Sequence, residues 1–227
     1  MSEGKSRYYQ EWNRALFLHW KIPVETLRPL IPEGITIDTF NGECWLSIVA
    51  FTMEKIRPVI LPSLGAISNF HEINIRTYVV NNNKPGVYFL SIEAGKTLSV
   101  LIAKFLSELP YQKSNIKRTT DDEADHYSST NFKRGFEFNA SFKIGMPVAQ
   151  KTELEKWLTE RYCLYLKNGS KLYRYEIHHK EWGLHHVEML DLKAVYQIRD
   201  FALDKSPDLI NYSPGVKVVA WKRAVCK

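Results

Sequence analysis

Residues 68–78 read SNFHEINIRTY, a stretch in which Ile73 and Ile75 alternate with polar side chains. Successive side chains of a β-strand point to opposite faces, so this alternation predicts a strand with two different faces. The apolar face carries Ile73 and Ile75 together with His71. The opposite face carries Phe70, Glu72, Asn74, Arg76 and Tyr78. The sequence therefore predicts one strand face that is polar and able to titrate.

Three polar residues on that face have complementary chemistry. Glu72, Asn74 and Arg76 follow one another at every second position, which separates them by about 6 to 7 Å on a strand. We predict that they line one side of a small-molecule cavity, with Glu72 acting as an acid or base. Asn74 would orient a carbonyl, and Arg76 would hold a carboxylate by a bidentate contact. The alternative is a solvated face, or a set of charges paired for structural reasons.

Histidines form two further candidate sites. His19 is interpreted either as a ligand contact or as a hydrogen-bonded structural residue of a strand. Four more histidines lie at positions 178, 179, 185 and 186. Neighbouring strand residues face opposite sides, and no acidic ligand has a recognised metal spacing, so no metal site is predicted. The GxGxxG, Walker, GxSxG and HExxH patterns are absent from the sequence, and no cofactor is predicted.

Turn residues divide the chain into strands. Asn41-Gly42 and Asn168-Gly169 each predict a hairpin with a two-residue type I′ turn, and residues 81–86 predict another turn between two strands. Helices are predicted over Pro23–Leu30, over the apolar stripe Leu98–Leu109, and from Thr152, where Glu155 completes a capping box.

These elements predict an α+β, mainly β fold in a single domain over residues 1–227. About ten strands and three helices favour a curved, partly closed antiparallel sheet, because closure removes exposed edges. No repeat or linker separates two cores.

Charge and hydropathy restrict the cellular setting. The net charge of +6 arises from 31 Lys and Arg against 25 Asp and Glu, spread along the chain without a basic tail, which disfavours a nucleic-acid partner. Met1–Arg14 lacks the apolar stretch of a signal peptide, and no segment approaches a membrane span of about 20 apolar residues. A cytoplasmic protein with reduced cysteines and no membrane contact is therefore expected, and a homo-oligomer is left open.

Several phrases of the sequence resemble the uncharacterised YqjF-like bacterial proteins of the acetoacetate decarboxylase superfamily. The phrases occur in order, and most lie in the first half of the chain. They are EW at 11–12, LFLHW at 16–20, LRPLIP at 27–32, DTF at 38–40, FHEINIRTYV at 70–79, GVYF at 86–89 and LPY at 109–111. The resemblance implies a cone-like antiparallel β-barrel with a central cavity and a few flanking helices. It also implies an acidic active-site residue at Glu72.

The superfamily's catalytic lysines are not matched in this sequence. The decarboxylases use a Schiff-base lysine beside a second lysine in an aromatic-Pro-Lys-Lys phrase, whereas this chain reads LPYQK at 109–113. If the prolines align, Tyr111 and Gln112 take the two lysine places and Lys113 lies one residue too far. Decarboxylation through a Schiff base is therefore not expected.

Three functional hypotheses follow. The first is binding of a small organic carbonyl or carboxylate compound by Glu72, Asn74, Arg76 and His19, with aromatic walls from Phe70, Tyr88 and Tyr111. The second is an enzyme acting on a carbonyl substrate, with Glu72 as base and Tyr111 or Lys113 assisting. The third is a regulatory protein without catalysis that uses its positive charge on nucleic acid.

Overall fold

The computed structural model describes residues 8–60, 69–95, 109, 111–198, 201–203 and 205–226. Two short α-helices occur among them, α1 (Val24–Leu27) and α2 (Glu153–Thr159), and a 3₁₀ turn at Arg28–Leu30 follows α1. The strands are β1 (Tyr8–Ile22), β2 (Thr36–Ile37), β3 (Cys44–Pro58), β4 (Phe70–Asn81), β5 (Lys84–Ala94), β6 (Tyr111–Lys113), β7 (Asn115–Thr120), β8 (Asp125–Asn131), β9 (Phe136–Pro147), β10 (Cys163–Asn168), β11 (Lys171–His179), β12 (His185–Ile198), β13 (Phe201–Leu203), β14 (Leu209–Ala220) and β15 (Ala224–Val225). The prediction of a mainly β protein is confirmed.

Seven of the strands close into a barrel. They follow the order β11-β10-β5-β4-β3-β1-β14, and β11 also pairs with β14, which joins the two ends of the series. Every link in this ring is antiparallel except the parallel contact between β5 and β10. Beyond β14 the sheet continues through β12, β9, β8 and β7. Closure leaves the seven ring strands without a free edge.

Side-chain alternation gives the ring an inner and an outer apolar layer. On β1, Leu16 and Leu18 join an outer cluster with Phe138 and Phe142 of β9. Phe17, between the two leucines, points to the inside of the ring and packs in a second cluster. The same alternation on β4 sends Ile73 and Ile75 outward. The side chains of β4 that alternate with these isoleucines are thereby directed into the barrel.

The structure modifies the predicted hairpins in detail. Asn41 and Gly42 have the positive φ angles of a type I′ turn, 50° and 82°, but only Phe40 and Glu43 pair across it, and β2 pairs with β4. In the second hairpin Asn168 pairs with Lys171, so the loop is Gly169-Ser170, one residue later than predicted. The predicted turn between β4 and β5 is confirmed at Asn82-Asn83.

The helix predictions have different outcomes. The capping box is confirmed, because Glu155 N donates to Thr152 Oγ1 and Thr152 N donates back to the Glu155 carboxylate. Pro23 is the N-cap of α1, so the helix begins at Val24, one residue later than predicted. The helix predicted over Leu98–Leu109 falls outside the described residues, apart from Leu109 itself. None of the described helices is long and apolar enough to cross a membrane.

Candidate functional site

A cavity of about 390 Å³ lies inside the barrel. All seven ring strands contribute to its wall, which is mainly apolar and includes the aromatic rings of Trp12, Phe17, Phe51 and Trp182. Cavities that bind small molecules in proteins have volumes of roughly 300 to 1,000 Å³ and similar apolar walls. The barrel therefore contains a chamber of suitable size for a small organic molecule.

One end of the chamber is covered by α2 and the residues that follow it. The Trp157 ring of α2 lies 4.6 Å from the ring of Tyr78 on β4, centroid to centroid. Arg161 packs over Trp157, with its guanidinium carbon 4.1 Å from the ring centroid, and its Nη1 donates to Asp38 Oδ2 at 2.6 Å. Helix α2 is thereby held against the part of β4 that contains Arg76.

Glu72, Asn74 and Arg76 all line the chamber. Their relative exposures are 3%, 4% and 8%, so this face of β4 is buried rather than solvated. Their positions follow from the strand alternation, because Ile73 and Ile75 between them pack on the outer side of the ring. The structure thus brings an acid, an amide and a guanidinium together on one wall.

Glu72 is the centre of a small hydrogen-bond network. The Tyr111 hydroxyl donates to Glu72 Oε2 at 2.8 Å, and Asn74 Nδ2 donates to Glu72 Oε1 at 3.1 Å. Outside the ring, the Tyr127 hydroxyl donates to the carbonyl oxygens of Phe51 and Glu72 at 3.0 Å each. Each carboxylate oxygen therefore accepts a hydrogen bond from a described residue, and the backbone carbonyl of Glu72 is bonded to Tyr127 of β8.

Burial changes the protonation of this network. It raises the pKa of Glu72 to about 7, against the opposing effects of the Tyr111 and Asn74 hydrogen bonds and the Arg76 charge. Burial and the nearby carboxylate raise the pKa of Tyr111 well above 10. At neutral pH, Glu72 can therefore either accept or donate a proton, while Tyr111 keeps its proton as a hydrogen-bond donor.

Arg76 is a buried cation with an incomplete set of partners. Burial lowers its pKa, and the hydrogen bond and charge of Tyr78 oppose that effect. The ion pairs formed between described residues do not include Arg76, and within that part of the chain its Nε has no hydrogen-bond partner. A guanidinium remains charged in proteins, so the chamber presents a positive group to its contents.

Four predicted site residues lie elsewhere. His19 is fully buried and is not among the described residues that line the chamber, and its Nδ1 lies 2.6 Å from Ser47 Oγ; the structural interpretation of this histidine fits that position. Phe70 packs in the inner apolar cluster. Tyr88 faces a separate outer pocket. Lys113 ends β6 with an exposed side chain.

Tyr88 lies outside the chamber because of a shift in strand register. The β4–β5 register shifts between Ile75 and Arg76, so that Arg76 pairs with Phe89. Paired residues share a face of the sheet, and Phe89 rather than Tyr88 therefore lines the chamber beside Arg76. Such a bulge is not visible in the sequence.

Sequence reasoning missed other residues of the wall. Arg161 lies there after α2, and no local pattern connects it with β4. His179 also lines the chamber, together with Tyr175 and Ile177 at alternate positions of β11. That period of two is visible in the sequence. Burial lowers the pKa of His179. Over the described ranges, no three His, Cys, Asp or Glu side chains are grouped to hold a metal ion.

The raised pKa of Glu72 predicts a pH-dependent stability. The folded state holds this proton up to about pH 7, whereas the unfolded carboxyl loses it near pH 4.5. Rising pH therefore favours unfolding in that interval, by up to about 1 kcal/mol per pH unit. We expect the free energy of unfolding, from urea titrations at pH 5 and 7.5, to fall less in Glu72→Gln than in the wild type. Equal pH dependence in both proteins would contradict this assignment.

Comparison with known proteins places the chain among related sequences and folds. Residues 9–217 match the model of DUF2071, described as "Uncharacterized conserved protein". The chain is 36% identical over 216 residues to "Uncharacterized protein YqjF" of Bacillus subtilis (strain 168), covering 93% of this chain and 89% of that protein.

Solved structures with the same fold have low sequence identity. A structure titled "Enduracididine biosynthesis enzyme MppR complexed with pyruvate" matches with a TM-score of 0.67 and 10% identity, covering 100% of this chain and 93% of the other. An acetoacetate decarboxylase structure matches with a TM-score of 0.67 and 15% identity, covering 98% and 90%. An acetoacetate decarboxylase-like enzyme from Sphingomonas wittichii RW1 matches with a TM-score of 0.64 and 12% identity, covering 99% and 94%.

The predicted fold type is confirmed by these neighbours, since the matches extend over nearly the whole chain. The match to the family model covers residues 9–217, which include Glu72, Asn74 and Arg76, and the identity to YqjF extends over 93% of the chain. The chain belongs to the DUF2071 family and has the acetoacetate decarboxylase-like fold.

Proposed function

We propose that this protein binds a small organic molecule with a carboxylate group, and with a carbonyl group near it, inside the barrel. The observation that carries the proposal is the position of Arg76, a buried guanidinium in the wall of a mainly apolar chamber. An anionic ligand would form the ion pair that Arg76 does not form with a described residue, and charge-assisted hydrogen bonds are strong in such surroundings.

The neighbouring groups favour a carbonyl beside the carboxylate. Glu72 and Tyr111 are joined by a hydrogen bond of 2.8 Å on the same wall, and a protonated Glu72 can donate to a carbonyl oxygen. MppR, which shares the fold, is titled as a complex with pyruvate, a molecule that combines these two functional groups.

A screen with paired ligands tests the proposal. Each oxo acid or carboxylic acid is compared with its methyl ester by thermal shift and native mass spectrometry. We expect acids to raise the melting temperature and to be retained as complexes, and the esters to do neither, because the ester removes the charge that Arg76 recognises. Equal responses to acids and esters, or no response to any acid, would refute the proposal.

A second candidate function is acid–base catalysis on a carbonyl substrate. The observation that favours it is the pKa of Glu72, which burial raises to about 7, the value at which a carboxyl group can both give and take a proton at neutral pH. Glu72 would remove a proton from the carbon next to the carbonyl, and Tyr111 would donate a hydrogen bond to the developing enolate oxygen.

Proton exchange measures that activity directly. Bound oxo acids in D₂O should incorporate deuterium next to the carbonyl, as followed by NMR, and Glu72→Gln should abolish this incorporation while retaining ligand binding. Tyr111→Phe should slow it. Deuterium incorporation at the uncatalysed rate in the wild type would leave binding as the function.

Schiff-base chemistry at Lys113 is not expected. Its side chain is exposed at the end of β6, so its amine stays in water and away from the chamber. Incubation with a ketone and borohydride, followed by peptide mapping, should therefore show no adduct on Lys113. The matched variant Lys113→Ala should retain full ligand binding. An adduct on this lysine in the wild type would reverse the expectation.

A further inference from the structure

The chamber has a direction that can be read from strand register. Arg76 pairs with Ser47, and Ser47 pairs with His19, which places Arg76 at the level of His19 near the end of β1. At the other end of the same strand, Tyr8 pairs with Ala220. Both Tyr8 and Ala220 line the chamber. The chamber therefore extends along β1, with Arg76 at one end and the Tyr8 level at the other.

The two ends differ in exposure. The Arg76 end is covered by α2, whose Trp157 ring contacts Tyr78. The wall at the Tyr8 end continues from Ala220 through residues 221–223, and Lys222 is exposed there. We call the Tyr8 end, with residues 220–223, the mouth.

The mouth is cationic. Lys222 and Arg223 are both part of the chamber wall, and among the described residues that form this wall the acidic side chain is Glu72, well inside the barrel. Lys222 takes part in no ion pair between described residues. Deeper in the chamber, the charge of Arg161 is balanced by Asp38 at 2.6 Å. Arg76 at one end and Lys222 at the other are therefore wall cations outside the ion pairs formed between described residues.

The wall between the two ends is mainly apolar. Trp12, Met53, Ile56, Leu164 and Ile177 all lie in it. The interval from His19 to Tyr8 corresponds to roughly 25 Å along the barrel, allowing for strand rise and tilt. A ligand that touches only Arg76 and Glu72 would leave most of this apolar surface uncovered.

We propose that the ligand is an elongated organic dianion, with one carboxylate at Arg76, an apolar body along the chamber, and a second anionic group at Lys222 and Arg223. This inference rests on the proposed function and names the class of ligand for the same site. When the lengths of the Arg76 and Lys222 side chains are subtracted, a chain on the order of 10 carbons spans the remaining distance.

The experiment uses α,ω-dicarboxylic acids of about 4 to about 16 carbons and their monomethyl esters, titrated by calorimetry into the full chain. Each pair has the same length and apolar body, and it differs by one charge. We expect affinity to peak near 10 carbons, and the diacid to bind roughly tenfold tighter than its monoester at low salt.

Variants locate the second anionic group. Lys222→Ala combined with Arg223→Ala should lower the affinity for the diacid to about that of the monoester, and should affect the monoester much less. Lys222→Ala alone should remove part of the diacid's advantage in affinity. Arg223 also stacks on Tyr173, so the double variant could fold poorly, and the single variant then provides the test. Lys217→Ala is the matched control, since Lys217 is exposed on β14 and alternates with the inward-facing Val216 and Val218.

The outcomes separate this inference from the proposed function. Equal binding of diacid and monoester by the wild type, or equal effects of Lys222→Ala and Lys217→Ala, would overturn the dianion inference while monoacid binding stands. Failure of every acid to bind, with or without a second charge, would overturn the proposed function itself.

Discussion

Arg76→Gln should weaken the binding of a carboxylate ligand about 100-fold, the effect of losing a buried charge-assisted contact worth some 2 to 3 kcal/mol. Arg76 is 8% exposed, and the ion pairs between described residues do not include it. A bound carboxylate therefore has a desolvated cation as its partner, which makes each hydrogen bond stronger than at the surface. Calorimetric titration of the wild type and the variant with the best acid from the screen measures the effect.

Two controls make this result specific. Arg76→Lys keeps the charge and loses the planar pair of donors, so its affinity should fall between those of the wild type and Arg76→Gln. The uncharged amide of the same ligand should bind both proteins equally. Arg76→Gln removes a buried charge that forms no ion pair with a described residue, so the variant should still fold. Its melting temperature verifies this. A similar loss for acid and amide would mean that the variant had only disturbed the shape of the chamber.

Gly86→Ala should destabilise the protein by about 3 kcal/mol, because an added methyl group has no space at the parallel contact of β5 with β10. A Cβ at Gly86 would lie 2.5 Å from the carbonyl oxygen of Cys163 and 2.8 Å from its Cβ. Neither atom can move away by rotation of a side chain. The adjacent pairs Val87–Leu164 and Tyr88–Tyr165 are the register of this link in the ring. Pushing them apart should also lower ligand affinity, since Leu164 lines the chamber.

Gly183→Ala is the matched control for this substitution. No atom lies within 4 Å of a Cβ built at Gly183, so its free energy of unfolding should stay within about 0.5 kcal/mol of the wild type. Thermal melts of the two variants compare them directly, and Gly86→Ala should lose roughly 5 to 10 °C. Equal melting temperatures would show that β5 and β10 can move apart without a loss of stability.

Local sequence patterns predicted the parts of the molecule that depend on local geometry. The alternation in β4 was enough to place Glu72, Asn74 and Arg76 on one face, because the period of a strand does not depend on its neighbours. The turn at Asn82-Asn83 and the capping box at Thr152 follow from steric and hydrogen-bond preferences of a few consecutive residues.

Long-range pairing could not be predicted in the same way. β2 was expected to form a hairpin across Asn41-Gly42, yet it pairs with β4. The bulge that places Phe89 instead of Tyr88 in the wall depends on how β5 meets β4. Arg161 reaches the chamber because α2 packs on Tyr78. Each of these results from contacts between segments distant in the chain, where many pairings satisfy the same local pattern.

The pairing of β1 with β14 affects how the barrel can assemble. Tyr8 pairs with Ala220, so the first described strand meets one of the last. As the chain leaves the ribosome, β1 can join β3, but its other edge stays vacant until β14 has been made. Contacts of such high sequence separation slow folding, and open strand edges promote aggregation. Nascent chains of this protein should therefore depend on protection of the β1 edge late in synthesis.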